Sequence, residues 1–237
     1  MSLPQFYETE IIKTEKLSDD TILFELKFPE KANFTFKAGQ FILVYQKLNE
    51  KEENRAFSLA SKPSQKTIEL LIRVYEQGKV SPKIAQLKAG EKLKIRGPFG
   101  MFTLKNTKEE IIFIAVGTGI APFRSMIHEA LEKNQEKKIT LIFGFRYEHD
   151  FFFQEEFKQL EKKHKNFHLY PCATQPTETW VYDKGRVTNI LPEVIKNSEH
   201  EEIYICGPKQ MINDTLDILI KQLNFKKEDV HIERWGA

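Results

Sequence analysis

Residues 111–122 read IIFIAVGTGIAP, an apolar run that leads directly into a glycine-rich turn. The run has the length and side chains of a buried strand, and the segment after the turn has helical periodicity. In a strand–turn–helix unit, glycine lets backbone amides approach a pyrophosphate at the start of the helix. Pro122 replaces the third glycine of the usual Gly-x-Gly-x-x-Gly pattern. The stretch therefore predicts a nucleotide-binding βα turn, with an ordinary βα turn as the alternative.

The hydrophobic pattern changes near residue 105. Before it, segments that alternate or are β-branched occupy 21–28, 40–46, 67–75 and 92–96. After it, apolar runs at 111–116, 139–144, 167–172, 203–206 and 230–233 alternate with helical stretches near 121–134, 155–164, 188–196 and 209–223. This pattern predicts an antiparallel β-barrel domain over residues 1–104 and an α/β domain with a parallel sheet over residues 105–237. The polar segment 105–110 is the expected linker.

The composition is typical of a soluble globular protein, with 41% hydrophobic and 30% charged residues in 237. No apolar run approaches the ~20 residues that a membrane span needs. The first residues lack the basic and apolar regions of a signal peptide, so we expect a cytoplasmic protein without a membrane span. The net charge is only +2 and arginine-rich runs are absent, which disfavours nucleic acid as a partner.

Metal-ligating residues are few and scattered. Cys172 and Cys206 are too few for an iron–sulfur cluster, which usually takes four cysteine ligands. His164 and His168 form the only i, i+4 histidine pair, and no third ligand accompanies them. We therefore expect neither a metal site nor a cluster in this chain.

A second glycine-containing segment, Gly78-Lys79-Val80-Ser81-Pro82, has the pattern of a helix start. Ser81 is the expected N-cap and Pro82 the first helical residue. Only seven of the 36 basic residues are arginines, and Arg55 and Arg73 stand in or beside such motifs. Because a guanidinium binds phosphate oxygens in pairs, a diphosphate bridging Ser81 and Arg55 is one interpretation. A plain helix cap and surface ion pairs are the alternative.

Five motifs in one order resemble the ferredoxin reductase-like family of FAD-dependent NAD(P)H oxidoreductases. They are Arg55-Ala56-Phe57-Ser58, Gly78-Lys79-Val80-Ser81, Gly97-Pro98-Phe99-Gly100, Gly117-Thr118-Gly119-Ile120-Ala121-Pro122 and Cys206-Gly207-Pro208. The resemblance covers nearly the whole chain. It implies a Greek-key FAD-binding barrel followed by a nucleotide-binding α/β domain, with flavin and nicotinamide stacked between them and no iron–sulfur domain.

The resemblance also assigns roles at the flavin. It implies that Arg55 binds the diphosphate, that Phe57 stacks on the isoalloxazine in place of the family's tyrosine, and that Ser58 lies near N5. It further implies that the flavin is lined or held by the remaining motif residues Ala56, Arg73, Val74, Tyr75, Gly78, Lys79, Val80 and Ser81. Loss of the tyrosine hydroxyl at Phe57 removes one hydrogen bond, about 0.5–1.5 kcal/mol, and keeps the stacking surface.

In the second domain the resemblance assigns the nucleotide pyrophosphate to Gly117, Thr118, Gly119 and Pro122. Cys206, followed by Gly207 and Pro208, is expected at the nicotinamide, and Glu233 and Trp235 are further active-site candidates. Ser58, Cys206 and Glu233 are the expected catalytic residues, which position and tune rather than act as nucleophiles. A buried strand-end thiol at Cys206 and a loose terminal aromatic at Trp235 are the alternatives.

The choice between NADH and NADPH depends on the residues at the ribose 2′ position. No acidic residue ends the second parallel strand, where Gly144-Phe145-Arg146 stands instead. Residues 173–176 lack the serine–arginine pair of NADPH-using relatives, whereas Arg146 and Arg186 favour a 2′-phosphate. We expect NADH to be used comparably or better.

Three functions remain open at this stage. The first is hydride transfer from NAD(P)H to bound FAD, followed by electron transfer to a separate ferredoxin, flavodoxin, oxygenase or haem protein. The second is reduction of free flavin, which the phosphate motif at residues 78–81 disfavours. The third is a non-catalytic nucleotide-binding subunit. The sequence leaves the acceptor and the oligomeric state open.

Overall fold

The computed structural model describes residues 4–133, 136–196 and 198–234. Contacts between Cα atoms divide the chain into two compact units. The first contains the residues up to Thr103 together with Ala121–Glu129, and the second contains Leu104–Ile120 and the residues from Ala130 onward. The domain boundary expected after residue 104 stays a prediction. Trp235 lies outside the described residues, so its expected role is not addressed by the structure.

The first unit is built on a six-stranded antiparallel sheet. Its strands are β1 (Gln5–Lys16), β2 (Thr21–Lys27), β3 (Phe41–Leu48), β4 (Lys51–Ser58), β5 (Thr67–Arg73) and β6 (Lys92–Phe99), with the short helix α1 (Ser81–Ile84) before β6. Their order is β4-β3-β6-β1-β2-β5. An isolated antiparallel bridge joins Leu59 to Leu70 and brings the two edges of the sheet together. The predicted antiparallel barrel is thus confirmed.

The barrel core follows the period of two that the sequence shows, because successive side chains of a strand point to opposite faces. Phe24 and Leu26 of β2, together with Ile42 and Val44 of β3, are fully buried in one apolar cluster. Phe57 of β4 belongs to the same cluster. Side chains of alternate strand positions therefore fill the interior of this unit.

Two strands of the barrel, β1 and β4, have no counterpart among the predicted segments. Only Thr9 and Ile11 of β1 are buried, and the other side chains of that strand are mostly charged and exposed. β4 is an edge strand whose first residues are polar and whose burial begins at Phe57. Neither strand has the apolar alternation on which the sequence prediction depended.

The second unit is a six-stranded parallel sheet wound by helices, as predicted. Its strands are β7 (Glu110–Val116), β8 (Lys138–Phe145), β9 (Phe167–Ala173), β10 (Asp183–Lys184), β11 (Glu201–Gly207) and β12 (Val230–Arg234). Four helices follow its strands, α2 (Ile120–Lys133), α3 (Gln154–Lys163), α4 (Val187–Val194) and α5 (Lys209–Lys221), and of these α2 contributes Ala121–Glu129 to the first unit. The strand order is β10-β9-β8-β7-β11-β12, and every pairing is parallel.

The central strands are buried on both faces, which explains their continuous apolar runs. On one face, Ile114 and Ile205 pack with Ile212 and Leu219 of α5 and Leu191 of α4. Within the described residues, no helix combines the length and apolarity that a membrane crossing requires. In the same part of the chain, histidine, cysteine and acidic side chains form no group of three or more that could hold a metal ion.

Candidate functional site

The parallel sheet has a switch point between β7 and β11. From β7 the chain adds β8 and β9 on one side, and it later adds β11 and β12 on the other. In such sheets, ligands bind in the crevice outside the carboxyl ends of the strands where the order reverses. A 3-10 turn, Gly117–Gly119, follows β7 at this point and leads into α2. Pro122 lies buried in the first turn of that helix.

Gly119 lies against the end of β11. A Cβ atom at this position would be 2.3 Å from the Cys206 carbonyl oxygen, so only glycine fits. Gly117 has a positive φ of 57°, and a Cβ atom added there would meet open space. The turn and the Cys206 strand end, which the sequence predicted separately, are thus in direct contact.

Cys206 and Glu233 are neighbours across β11 and β12. They are register partners, and Ala115 of β7 is the partner of Cys206 on the other side. The Cys206 side chain is fully buried, and that of Glu233 is half-buried. Gly207 ends β11, and the extended Pro208 precedes the first turn of α5. The roles expected for these residues at a nicotinamide stay predictions.

A pocket of about 330 Å³ lies beside this crevice, a size within the usual range of small-molecule sites. Its walls are the strand ends of β7, β8 and β9, the first turn of α4 and the first two turns of α5. They consist of Val116, Gly144, Phe145, Arg146, Thr174, Gly185, Arg186, Val187, Thr188, Gln210, Met211 and Asp214. Both arginines that the sequence analysis selected in this unit therefore line one pocket.

The charges in this pocket come from different elements. The Arg146 Nε donates a hydrogen bond to Gln175 Oε1 at 3.0 Å, and its guanidinium lies 5.0 Å from the centre of the Tyr147 ring. Asp214 Oδ1 accepts a hydrogen bond from Gln210 Nε2 at 2.7 Å, one turn earlier on α5. Asp214 was not predicted from the sequence, because only the folded sheet brings α5 next to the end of β8. Its single sequence signal is the i, i+4 spacing from Gln210.

A buried polar network lies on the same face of β11 and β12 as Cys206 and Glu233. Glu202 Oε1 is 2.9 Å from His231 Nε2, and Glu202 Oε2 accepts the Thr107 amide at 3.2 Å. The Tyr204 hydroxyl accepts the Lys105 amide at 2.7 Å. Burial acts to raise the pKa of Glu202, but hydrogen bonds from His231 and Tyr204 outweigh it and hold the pKa below its ordinary value. This network, which connects residues 105–107 to the sheet, was not predicted from the sequence.

In the barrel unit, the residues assigned to the flavin lie near the Leu59–Leu70 bridge. Because the two segments are antiparallel at this bridge, the Arg55–Ser58 end of β4 lies alongside the Arg73 end of β5. Arg55 is exposed and donates to the Asn54 carbonyl at 2.6 Å. Ala56 is exposed, whereas Ser58 is 2% exposed.

Aromatic surface in this region comes from two residues. Phe57 is only 9% exposed because it packs in the barrel core, whereas Tyr75 is 61% exposed. The Arg73 guanidinium lies 5.7 Å from the centre of the Tyr75 ring. Arg73 Nε also donates to Asp20 Oδ2 at 2.7 Å. Val74, half-buried, donates its amide to the Asp20 carbonyl.

The helix predicted to start at Ser81 is present and begins there, but the N-cap predicted at Ser81 is wrong. Val80 is the N-cap residue, Ser81 is the first residue of α1, and Pro82 is the second. The Ser81 hydroxyl instead accepts the Tyr75 amide at 3.2 Å, so it closes the loop before the helix. Lys79 in this loop is exposed, and Val80 is buried.

These residues fit a flavin dinucleotide. A Cβ at Gly78 would lie 2.9 Å from the Tyr75 carbonyl oxygen and 3.1 Å from Ser81 Oγ, so the loop is too tightly packed at this position for a side chain. Arg55 and Arg73 supply guanidinium groups for a diphosphate, and Tyr75 supplies an exposed ring for stacking. The role of each residue at a flavin stays a prediction.

Comparisons with known proteins agree with both units. Residues 8–104 match the oxidoreductase FAD-binding domain family, and residues 113–217 match the oxidoreductase NAD-binding domain family. The chain is 30% identical over 277 residues to a subunit of the Na(+)-translocating NADH-quinone reductase of Serratia proteamaculans (strain 568), covering 98% of this chain and 68% of that protein. It spans about half to about two thirds of the length of the curated relatives it matches.

Two solved structures share the fold. A ferredoxin NADP+ reductase from Neisseria gonorrhoeae, solved with bound FAD and NADP, aligns with a TM-score of 0.84 at 22% identity, covering 97% of this chain and 98% of that one. The cytochrome b5 reductase domain of Ulva prolifera nitrate reductase aligns with a TM-score of 0.85 at 20% identity, covering 98% and 97%. Given both domain families and the 30% identical relative, this chain belongs to the ferredoxin reductase-like family of FAD-dependent NAD(P)H oxidoreductases.

Proposed function

We propose that this protein transfers a hydride from NADH to bound FAD and delivers the electrons to a separate redox partner. The observation that carries the proposal is the contact between the Gly117–Gly119 turn and Cys206, at the switch point of a parallel sheet and beside a pocket of nucleotide size. The relative from Serratia proteamaculans belongs to an enzyme named as an NADH-quinone reductase, which supports NADH as the donor.

The residues of the second unit are proposed to bind and orient the nucleotide. Backbone amides of the turn hold the pyrophosphate, because the glycines let the ligand approach the main chain. Cys206 and Glu233, side by side at the strand ends, border the nicotinamide. The burial of Cys206 supports a packing and positioning role, since a fully buried thiol does not act as a nucleophile there.

The residues of the barrel unit are proposed to hold the flavin. Arg55, Arg73 and the Ser81 loop bind its phosphates, and Tyr75 and the exposed part of Phe57 contact its rings. Ser58 is proposed to lie at the flavin N5. Bound FAD supplies the redox chemistry, because its ring system accepts a hydride and can release electrons singly.

The electron acceptor is proposed to carry its own redox centre. The two cysteines of this chain are both buried and lie on different strands, so they do not form the ligand set of a cluster. A ferredoxin, a flavodoxin, an oxygenase and a haem protein all fit this requirement. The cytoplasmic location and the absence of a nucleic-acid partner stay predictions.

Steady-state oxidation of NADH tests the proposal. The purified protein with its retained flavin is assayed with ferricyanide, a one-electron acceptor, with and without added FAD or FMN. We expect ferricyanide reduction that does not require added flavin. A rate that appears only with added flavin and saturates with it would indicate a free-flavin reductase. Nucleotide binding without turnover under either condition would indicate a non-catalytic role.

A further inference from the structure

The nucleotide pocket contains an acidic residue at an unexpected position. In the common dinucleotide fold, an acidic residue near the end of the second strand binds the ribose 2′-hydroxyl. Here β8 ends in Phe145 and is followed by Arg146, so that position carries no acid. Asp214 lines the same pocket from α5 and is the one carboxylate among its lining residues. The folded chain thus brings a carboxylate to this pocket from a different element.

The geometry of Asp214 suits a ligand-binding carboxylate. The side chain is half-buried on the second turn of α5, next to the pocket-lining Met211. Gln210 donates to Oδ1 at 2.7 Å, which orients the carboxylate. Among the described residues, no hydrogen bond from the protein occupies Oδ2. One oxygen is therefore available to a hydroxyl donor in the pocket.

We propose that Asp214 selects NADH over NADPH, by accepting a hydrogen bond from the adenosine ribose and repelling a 2′-phosphate. The inference rests on the proposed function, because it concerns the nucleotide of that reaction. Two like charges in a partly buried pocket repel each other more strongly than in bulk water. A carboxylate that receives a ribose hydroxyl has no donor to offer to a phosphate.

The arginines of the pocket act in the opposite direction. Arg146 and Arg186 both line it and favour an anionic group. Arg146 is already engaged, because its Nε binds Gln175 and its guanidinium lies over Tyr147. The preference between NADH and NADPH therefore depends on the opposing charges of the pocket. The two arginines favour the 2′-phosphate, and Asp214 disfavours it.

The test compares Asp214→Asn with Asp217→Asn. The two substitutions remove the same charge from the same helix, but Asp217 does not line the pocket and pairs with Lys221 at 2.9 Å on an exposed surface. The measured quantity is the ratio of kcat/KM for NADPH to that for NADH. We expect Asp214→Asn to raise this ratio about fivefold or more, and Asp217→Asn to change it by less than about twofold.

A binding measurement makes the test independent of turnover. Calorimetric titration with 2′,5′-ADP and with 5′-AMP, the adenosine halves of the two cofactors, is expected to show tighter 2′,5′-ADP binding in Asp214→Asn than in the wild type. The inference is overturned if Asp214→Asn changes neither the kcat/KM ratio nor the ratio of 2′,5′-ADP to 5′-AMP affinity, or if both variants change these ratios equally. In that case, NADH oxidation by the wild type still supports the proposed function. If the wild type oxidises neither nucleotide, the proposed function is overturned together with the inference.

Discussion

The backbone of Gly119 contacts the carbonyl of Cys206, so the glycine turn after β7 and the end of β11 form one structural unit. The close approach leaves no room for a side chain. Because the turn is proposed to hold the nucleotide pyrophosphate, a displacement of this contact moves the binding amides themselves.

Gly119→Ala therefore tests the role of this contact. The added methyl group would lie 2.3 Å from the carbonyl oxygen, so the turn must shift. We expect a rise of about tenfold or more in KM for NADH, with FAD retained. Gly90→Ala is the matched control, because Gly90 also has a positive φ, its methyl group would meet open space, and it lies in a turn of the barrel unit to which no binding role is assigned. Equal KM values for the two variants would contradict the close-contact account.

The Glu202–His231 pair predicts a specific dependence of stability on pH. The pKa of Glu202 lies below its ordinary value of 4.5, so its ionised form stabilises the folded state above that pH. This contribution is lost as the pH falls through the lowered pKa. Glu202→Gln is therefore expected to unfold more easily than the wild type at pH 7, by about 1–3 kcal/mol, with a smaller difference near pH 3. Urea unfolding at both pH values measures this.

His231→Phe provides a second measure of the same pair, because it keeps the ring against Tyr204 and removes the ring nitrogens. It leaves the buried Glu202 carboxylate with one partner fewer, and we expect a loss of about 2–3 kcal/mol of unfolding free energy at pH 7. His200→Phe is the matched control, because His200 pairs with Glu109 at 3.2 Å on the exposed surface. Its expected effect is under about 0.5 kcal/mol. Similar losses in both variants would contradict the importance of the buried network.

Burial of Cys172, with a smaller contribution from the charge of Asp183, raises the pKa of its thiol to about 12. Both cysteines are buried in β strands. We expect neither thiol to react with Ellman's reagent in the native protein at pH 8, and both to react after unfolding, because the thiolate is the reactive form. Rapid labelling of Cys172 in the native protein, located by peptide mapping, would contradict the burial of this side chain in β9.

Ser58→Ala tests the residue proposed to lie at the flavin N5. We expect slower flavin reduction by NADH, about tenfold, with FAD still bound. Ser61→Ala is the matched control: Ser61 is also buried in the barrel unit, and its hydroxyl accepts the Glu69 amide at 3.1 Å. Stopped-flow absorbance under anaerobic conditions gives the reduction rate. An unchanged rate in Ser58→Ala would remove Ser58 from the mechanism.

The sequence predicted the fold where packing dictates a simple pattern. β7 and β11 are buried on both faces and have apolar runs in their sequences. Their assignment as strands and their approximate bounds therefore followed from the hydrophobic pattern. β4 did not, because it is an edge strand with a charged first half. It pairs with β3 through a two-residue hairpin turn at 49–50, in which Asn49 has a positive φ, and not through an apolar pattern of its own.

The residues of the candidate sites also differ in whether the sequence predicted them. The Gly117–Gly119 turn was predictable, because a backbone that must approach another chain or a ligand requires glycine. The N-cap prediction at Ser81 failed, because the hydroxyl binds the Tyr75 amide across the loop instead of an amide of α1. Asp214 and Glu202 were not predicted from the sequence. Their surroundings are formed by elements that are distant along the chain, and the spacing of nearby residues does not indicate such contacts or burial.

Hydride transfer from NADH to bound FAD is tested most directly by the visible spectrum of the purified protein. The spectrum is recorded under anaerobic conditions before and after the addition of one equivalent of NADH. We predict a yellow protein whose flavin absorbance is lost on addition of NADH. Loss of colour with NADPH alone would keep the flavin chemistry and reverse the choice of nucleotide. A colourless protein, or a flavin that neither nucleotide bleaches, would contradict the account.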